Sequence, residues 1–336
     1  MSRIYCITPT FKPVGGVVKV FDYANHALDL GQEVVVCCPE EFRADLPLFQ
    51  IDRFRRLDAE GGIPYIRGLA FGLEPDDLAF FSWPEHYEEI SFRLGPDTAL
   101  ERVIHLVQNV RHGNPKWIDG YAARLLTRPM ARIMVSRETM EACEPYLNTR
   151  SFTRVIPEGH AWDYFSKERS GGLPDPIKVG YTTWKSNVGI RVEEALVDDP
   201  HFEFRSIRET VSWDELRELY HWSDVLLGTP GPEEGFYLVG LEALAAGALL
   251  ISADAWGNRA YSDWGENCLL AEMESEASYT EHLHGLRAMG GEAVAAMRAA
   301  GYATLQNHTL ERERDLFARF LEELEMRPAR PDLAGG

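Results

Sequence analysis

Residues 228–251 read GTPGPEEGFYLVGLEALAAGALLI and carry three carboxylates, Glu233, Glu234 and Glu242, the last two with a glycine turn between them. The Ala- and Leu-rich run that follows predicts a helix over 236–246, which leaves Glu234 on the loop just before it. The backbone N–H groups of Gly235, Phe236 and Tyr237 then stand as orphan donors at a helix start. Together with the helix dipole they form an anion site suited to a diphosphate. Gly235 allows a ligand to come close to the backbone. Glu242 lies about two turns into the helix, so its side chain points back toward the N-terminal end. A carboxylate can accept two hydroxyl hydrogen bonds, which suits a ribose diol. Taken alone, the pair could equally be solvated surface charge, and the rest of the chain has to decide.

Other residues could take part in the same chemistry. Lys185, in GYTTWKSNVG, follows a strand-like run and can place a cation where negative charge develops as a bond to a phosphate breaks. The plainer reading is an exposed lysine. Gly15-Gly16 separates an apolar run from a helical pattern, as a loop close to a ligand or simply as a tight turn. It does not match G-x-G-x-x-G, so no nicotinamide cofactor is indicated. There is no DxD pair, no His/Cys cluster at ligand spacing and no GxSxG, so neither a metal nor another cofactor is expected.

The elements that must position these residues alternate between strand and helix. RIYCIT at 3–8 is a short apolar run, followed by the Gly15-Gly16 loop, then VVKVFDYANHALDLG with apolar residues at helical spacing and Gly31 as its stop. EVVVCC follows as a β-branched run, which completes a βαβ unit with a buried parallel sheet. Further strands are expected at Leu78–Phe81, Val103–Gln108, Ala131–Val135 and Phe152–Ile156. Pro, Gly and charge cluster over 157–176, the expected linker. Beyond it come strands IKVGYT, FEFRSI, DVLLGT and ALLISA, and a helix SWDELRELYHWS that opens with Ser212 and Glu215 at capping-box spacing. The last segment, TLERERDLFARFLEELEM, puts Leu310, Phe317, Phe320, Leu321 and Leu324 on one helix face. The pattern predicts an α/β protein of two doubly wound domains facing a cleft, with ligands beyond the carboxyl ends of the strands.

Bulk properties narrow the class. The chain has 336 residues, 45% hydrophobic and 26% charged, which is long for one core and ordinary for a folded two-domain protein. A net charge of −19 argues against a nucleic-acid scaffold, which needs a basic surface. The five cysteines, Cys6, Cys37, Cys38, Cys143 and Cys268, form no CxxC and read as buried reduced thiols in a cytoplasmic protein. MSRIYCITPT lacks the apolar run of a signal peptide, and no stretch is apolar enough to span a membrane.

Glu234-Gly235-Phe236, then Leu241-Glu242-Ala243 and Gly247, resemble the E-x7-E motif of GT-B-fold retaining glycosyltransferases of family 4. SWDELRELYHWSDVLLGTP resembles the family's lead-in to that motif, and Gly15-Gly16 its first glycine loop. The likeness runs over nearly the whole length. It implies a Rossmann-like acceptor-side domain at 1–160, completed by a crossing helix at about 309–327, and a donor-binding domain at 161–308. It implies that Glu242 holds the donor ribose, that Glu234 faces the transferred sugar, and that Lys185 neutralises the diphosphate. Backbone at Ile207-Arg208 resembles the base-binding segment.

Two departures stand out. The family's Arg after the strand glycine is replaced by Tyr181-Thr182-Thr183 in a loop one residue shorter, so Arg205 or Arg208 could compensate. The family's His after the strand matching RVIHLVQN falls on Gln108. His105 lies three residues earlier, and Gln108, Asn109 and His112 become the candidates for acceptor or sugar contact. Arg102, Arg111, Lys116, Arg124, Arg128, Arg132 and Arg137, against Glu101 and Asp119, form a basic stretch that could meet anionic lipid heads or a phosphorylated acceptor, giving weak membrane-surface association. The preferred reading of that stretch is a solvated helix face.

The expected activity is metal-independent transfer of a hexose or deoxyhexose, with retention, from a nucleotide diphosphate sugar to a hydroxyl acceptor. The open alternatives are a non-catalytic sugar-nucleotide-binding partner subunit and a GT-B nucleotide-sugar epimerase.

Overall fold

A computed structural model of the chain describes residues 3–58, 61–68, 72–74, 76–91 and 102–325. Glu101 and the end of the expected 309–327 segment lie outside the described residues. In chain order the elements are β1 (Arg3–Ile7), α1 (Gly15–Asp29), β2 (Glu33–Cys38), β3 (Tyr65–Arg67), β4 (Leu78–Phe81), α2 (His86–Ser91), β5 (Val103–Val107), α3 (Tyr121–Leu126), β6 (Ala131–Met134), α4 (Arg137–Cys143) and β7 (Phe152–Val155). They continue as β8 (Ile177–Thr182), α5 (Val188–Ala195), β9 (Phe202–Ile207), α6 (Trp213–Trp222), β10 (Val225–Gly228), α7 (Leu238–Ala245), β11 (Leu249–Ala253), β12 (Cys268–Ala271), α8 (Glu276–Ala288), α9 (Gly291–Leu305) and α10 (Leu310–Glu325). By its contacts the chain divides into two compact units. One holds the residues up to Ile156 together with those from Glu311 onward; the other is Pro157–Leu310.

The first unit is a seven-stranded parallel sheet in the order β3-β2-β1-β4-β5-β6-β7. Its central strands are buried along their length, as expected of parallel strands covered on both faces. The strand order turns at β1, which pairs on one side with β2 and on the other with β4. The loops after β1 and β4 therefore flank the point where a doubly wound sheet opens for a ligand. Gly31, at φ 77°, ends α1: its amide donates to Leu28 O at 2.9 Å and that of Gln32 to Ala27 O at 3.0 Å. That is a Schellman arrangement, which only a residue tolerant of the left-handed region can close without strain.

Helix α10 belongs to this unit. Its buried face is Glu313, Phe317, Phe320, Leu321 and Leu324, with Phe317 edge-on to Tyr23 at 4.9 Å. The apolar pattern predicts that face except for Glu313, which is buried because α1 supplies partners: Lys19 Nζ at 2.7 Å and His26 Nε2 at 2.9 Å.

The second unit is a five-stranded parallel sheet in the order β12-β11-β10-β8-β9, with its order turning between β8 and β10. Val179, Tyr181, Leu227, Ile251 and Tyr279 lie at its core. The capping box of α6 is present, Glu215 N–H donating to Ser212 Oγ and Ser212 N–H to Glu215 Oε2. The stretch expected as a linker, 157–176, is instead part of this unit. Its aromatic residues are the reason: Phe165 is buried, and rings of His160, Tyr164 and Phe165 pack on Trp213 of α6. All five cysteines are buried free thiols. No helix among the described residues is long and apolar enough to cross a membrane.

Candidate functional site

The carboxyl edge of the second sheet gathers most of the expected donor-side residues. Lys185 follows β8 and Glu234 follows β10, so they stand on either side of the turning point of the sheet. Lys185 Nζ lies 2.9 Å from Glu234 Oε1, with the lysine side chain 46% exposed and the glutamate 12%. Behind Glu234 the backbone is backed by Gly257, where an added Cβ would sit 2.9 Å from Glu234 C and Cβ and 2.8 Å from Phe236 N. No side chain larger than glycine fits there without moving the loop. A Thr229 Oγ1 bond to Thr182 O at 3.3 Å ties the ends of β10 and β8 together.

The helix start differs from expectation. α7 begins at Leu238, not Phe236, and the Tyr237 amide donates to Gly257 O at 3.2 Å. Tyr237 is therefore not an orphan donor. Its side chain is buried, with Thr229 N–H donating to its hydroxyl at 3.1 Å, and Phe236 packs on the Tyr261 and His308 rings. Gly235 is buried next to Glu234.

Glu242 is not a solvated helix charge. It is 4% exposed, and both oxygens are engaged: His160 Nε2 donates to Oε1 at 2.9 Å and Tyr220 Oη to Oε2 at 2.8 Å. A buried carboxyl group needs such partners. His160 is held in turn by stacking on Phe165, and its amide donates to His308 O at 3.0 Å. The sequence reading missed both partners. His160 lay in the supposed linker, and Tyr220 sits in the apolar stripe of α6, where a tyrosine reads as core.

The departure at Tyr181 has a structural account. Its ring is buried against Gly189, where a Cβ would come 2.3 Å from Tyr181 Cδ2, and its hydroxyl donates to Glu193 on α5. The two proposed substitutes for the missing arginine are engaged elsewhere. The Arg205 guanidinium lies over the Trp222 ring at 5.0 Å, and that of Arg208 binds Ser206 Oγ and lies 3.7 Å from Glu193. Ile207 O accepts from Thr183 N–H at 3.1 Å, which zips the loop after β8 onto β9.

In the first unit, two expected residues, Gly16 and Gln108, meet at the turning point of the sheet, joined by Ser82. Gln108 Nε2 donates to Gly16 O at 3.0 Å and to Ser82 Oγ at 2.7 Å. A Cβ on Gly16 would come 2.8 Å from Trp83 Cη2, so the glycine loop is needed for close packing there. Gly15 opens α1 and is exposed. Asn109 does not join them: its Oδ1 caps the turn at 110–113 by accepting from Arg111 N–H at 2.9 Å. His112 is 3% exposed and stacked on Trp117 at 5.0 Å, with burial and then Arg111 and Arg132 pushing its pKa down to about 3. Such a histidine is a neutral core residue. His105 is fully buried and stacked on Phe81.

The basic stretch is not one solvated face. Arg132 is fully buried, bonded to Ser151 Oγ and to the Leu125 and Arg128 carbonyls, while Arg111 and Arg128 lie over the Trp117 and Tyr87 rings. Lys116, Arg124 and Arg137 are exposed, and Arg102 lies 3.9 Å from Asp76. Among the described residues no three His, Cys, Asp or Glu side chains are grouped to hold a metal ion.

No family model matches the chain, and no curated protein matches it by sequence. Solved structures do match in fold. Anabaena HepE in complex with UDP-glucose is 14% identical with a TM-score of 0.71, over 96% of this chain and 100% of that one. Sucrose-phosphate synthase from Thermosynechococcus elongatus is 12% identical with a TM-score of 0.74, over 97% and 99%. The pneumococcal O-GlcNAc transferase GtfA, in complex with UDP and GlcNAc, is 11% identical with a TM-score of 0.63, over 97% and 99%. The chain thus has the GT-B glycosyltransferase fold, two Rossmann-like α/β domains, and is similar in structure to proteins solved with UDP-glucose and with UDP.

Proposed function

We propose that the chain is a retaining glycosyltransferase of family 4 that moves a hexose or deoxyhexose from a nucleotide diphosphate sugar to a hydroxyl acceptor, with no metal required. The observation that carries this reading is the Lys185–Glu234 pair across the turning point of the second sheet. It puts one half-exposed cation and one carboxylate where a doubly wound domain takes its ligand. Lys185 neutralises the diphosphate as the sugar leaves, and Glu234 accepts hydrogen bonds from the transferred sugar. The second unit is the donor domain and the first presents the acceptor, with the cluster of Gly16, Ser82 and Gln108 nearest to it.

The engagement of both Glu242 oxygens favours a second reading, a non-catalytic sugar-nucleotide-binding subunit, because the carboxylate expected on the ribose is already satisfied within the protein. One experiment separates the two. The purified chain is screened by thermal shift against UDP, ADP, GDP and their glucose esters, with and without Mg²⁺, and then assayed for nucleoside diphosphate release. Ligand binding raises apparent stability by mass action. A metal-independent shift with one nucleotide series plus release that is lost in Glu234→Ala supports the transferase. A shift without release under any acceptor supports the binding subunit, and no shift at millimolar nucleotide removes both.

A further inference from the structure

Trp184 is a large apolar side chain left 39% exposed, next to Lys185 and at the carboxyl edge of the second sheet. It is not a loose surface residue. Its Nε1–H donates to Glu209 O at 3.1 Å, just past the end of β9. One residue earlier, Thr183 N–H donates to Ile207 O at 3.1 Å, extending the β8–β9 ladder beyond the last paired strand residue. The indole is therefore fixed along its N–H edge, while part of its surface stays open to solvent. Its neighbour Lys185 turns the other way, to Glu234 on the β10 side. The loop after β8 thus offers a cation toward β10 and a flat ring toward β9.

Resting on the glycosyltransferase reading, we propose that Trp184 is the stacking platform for the donor's nucleobase and sets the preference for a nucleoside diphosphate sugar over a sugar phosphate with no base. The chemistry is complementary. A nucleotide needs charge neutralisation at its diphosphate and an apolar plane for its base, and this loop carries a cation and an aromatic ring on consecutive residues, turned to opposite sides. Each base presents a π-face, and stacking on an aromatic side chain is tolerant of base identity. Selection among bases then falls to backbone groups at the end of β9. Loss of such stacking reads as an affinity change of about fivefold to about 150-fold.

The test measures binding of UDP, ADP, GDP and inorganic pyrophosphate by calorimetry to the full chain and to Trp184→Ala and Trp184→Phe, with melting temperatures as a check on folding. For whichever nucleoside diphosphate the native chain binds, Trp184→Ala is expected to weaken affinity about fivefold or more. Trp184→Phe should retain most of that affinity, and pyrophosphate, which has no base, should bind all three chains alike. An unchanged nucleotide affinity in Trp184→Ala overturns the inference and leaves the transferase reading standing. Equal loss of nucleotide and pyrophosphate also overturns it, since it shows disturbance of the Lys185 loop. Failure of the native chain to bind any nucleoside diphosphate overturns the transferase reading itself, and this inference with it.

Discussion

Lys185 Nζ and Glu234 Oε1 sit 2.9 Å apart, on loops from β8 and β10, strands that pair in parallel. The pair is half-exposed on the lysine side, so its worth to folding is small, about 0–1 kcal/mol. Its worth to catalysis is expected to be larger, because a preorganised cation aimed at developing charge contributes far more to a transition state than to a folded ground state. Lys185→Met should therefore lower turnover about 100- to 1,000-fold while the melting temperature hardly moves. Steady-state release of nucleoside diphosphate, measured beside a thermal melt, checks this. A variant with native turnover, or one that loses activity only because it melts early, removes Lys185 from the site.

Glu242 gives the opposite signature. Removing its carboxylate leaves His160 Nε2 and Tyr220 Oη buried without their acceptor, at about 1–3 kcal/mol for each unsatisfied group. Glu242→Ala is expected to be markedly destabilised in urea unfolding. Tyr220→Phe, which leaves the His160 bond in place but strands one buried carboxylate oxygen, should lose less, about 1–3 kcal/mol. A double-mutant cycle between positions 160 and 220 isolates how far the two donors depend on the shared carboxylate. Loss of nucleotide binding in Glu242→Ala with unaltered stability would instead mean a free carboxylate that meets the ligand directly.

Much of this architecture was legible in the sequence, and the misses have physical causes. The strand runs EVVVCC and LAFF appear where their apolar character placed them, because a parallel strand buried on both faces has little choice of register. The capping box at Ser212 and Glu215 is local chemistry and is read correctly. The short edge strand β3 and the outer strand β12 were not expected: neither YIR nor CLLA is long enough to show a period. Residues 157–176 were misread because proline, glycine and charge outweighed the aromatic side chains that anchor them. The sequence singled out Glu234 and Lys185 as candidates but could not show their contact. It also could not show that Glu242 faces His160, since that bond joins residues far apart in the chain. Gln108 was picked out by position, yet what it does, holding Gly16 against Ser82, is visible only in three dimensions.

The clasp between α1 and α10 predicts a large effect from one side chain. Lys19 is fully buried, 2.7 Å from Glu313 and 3.2 Å from Asp22, and Arg53 reaches Asp22 at 2.8 Å. Lys19→Met removes the cation shared by two buried carboxylates, and breaking such a group from one side costs about 3–5 kcal/mol. The joint change Lys19→Met with Glu313→Leu takes out one charge of each sign and should recover a large part of that loss. Urea midpoints of the two variants decide it. A single variant within 1 kcal/mol of the native chain, on the order of an exposed pair, would show that water reaches the cluster.

Buried histidines and the Asp22 carboxyl shape how stability responds to acid, in overlapping windows. Burial, reinforced by Arg111 and Arg132, pushes His112 down to about 3. The folded chain then keeps it neutral while the unfolded chain protonates it near 6.5. Stability from this group is complete above about 6.5 and falls as pH drops toward about 3, by about 1.4 kcal/mol per pH unit at most. His105, buried beside it, shifts in the same direction. Burial raises the Asp22 carboxyl, but Arg53 and Lys19 outweigh it and hold it at about 2, against an ordinary 3.8. Its contribution is present above about 3.8 and is lost as pH falls through about 2. Urea unfolding should therefore show stability declining from pH 6.5 downward, steepening below 4. His112→Phe, whose ring can stack on Trp117 without a proton to bind, should reduce the slope from pH 6.5 down to about 3 and leave the loss from Asp22 between about 3.8 and about 2 in place. Asp22→Asn should do the reverse. If His112→Phe keeps the native slope in the upper window, His112 is reached by water and titrates in the folded chain.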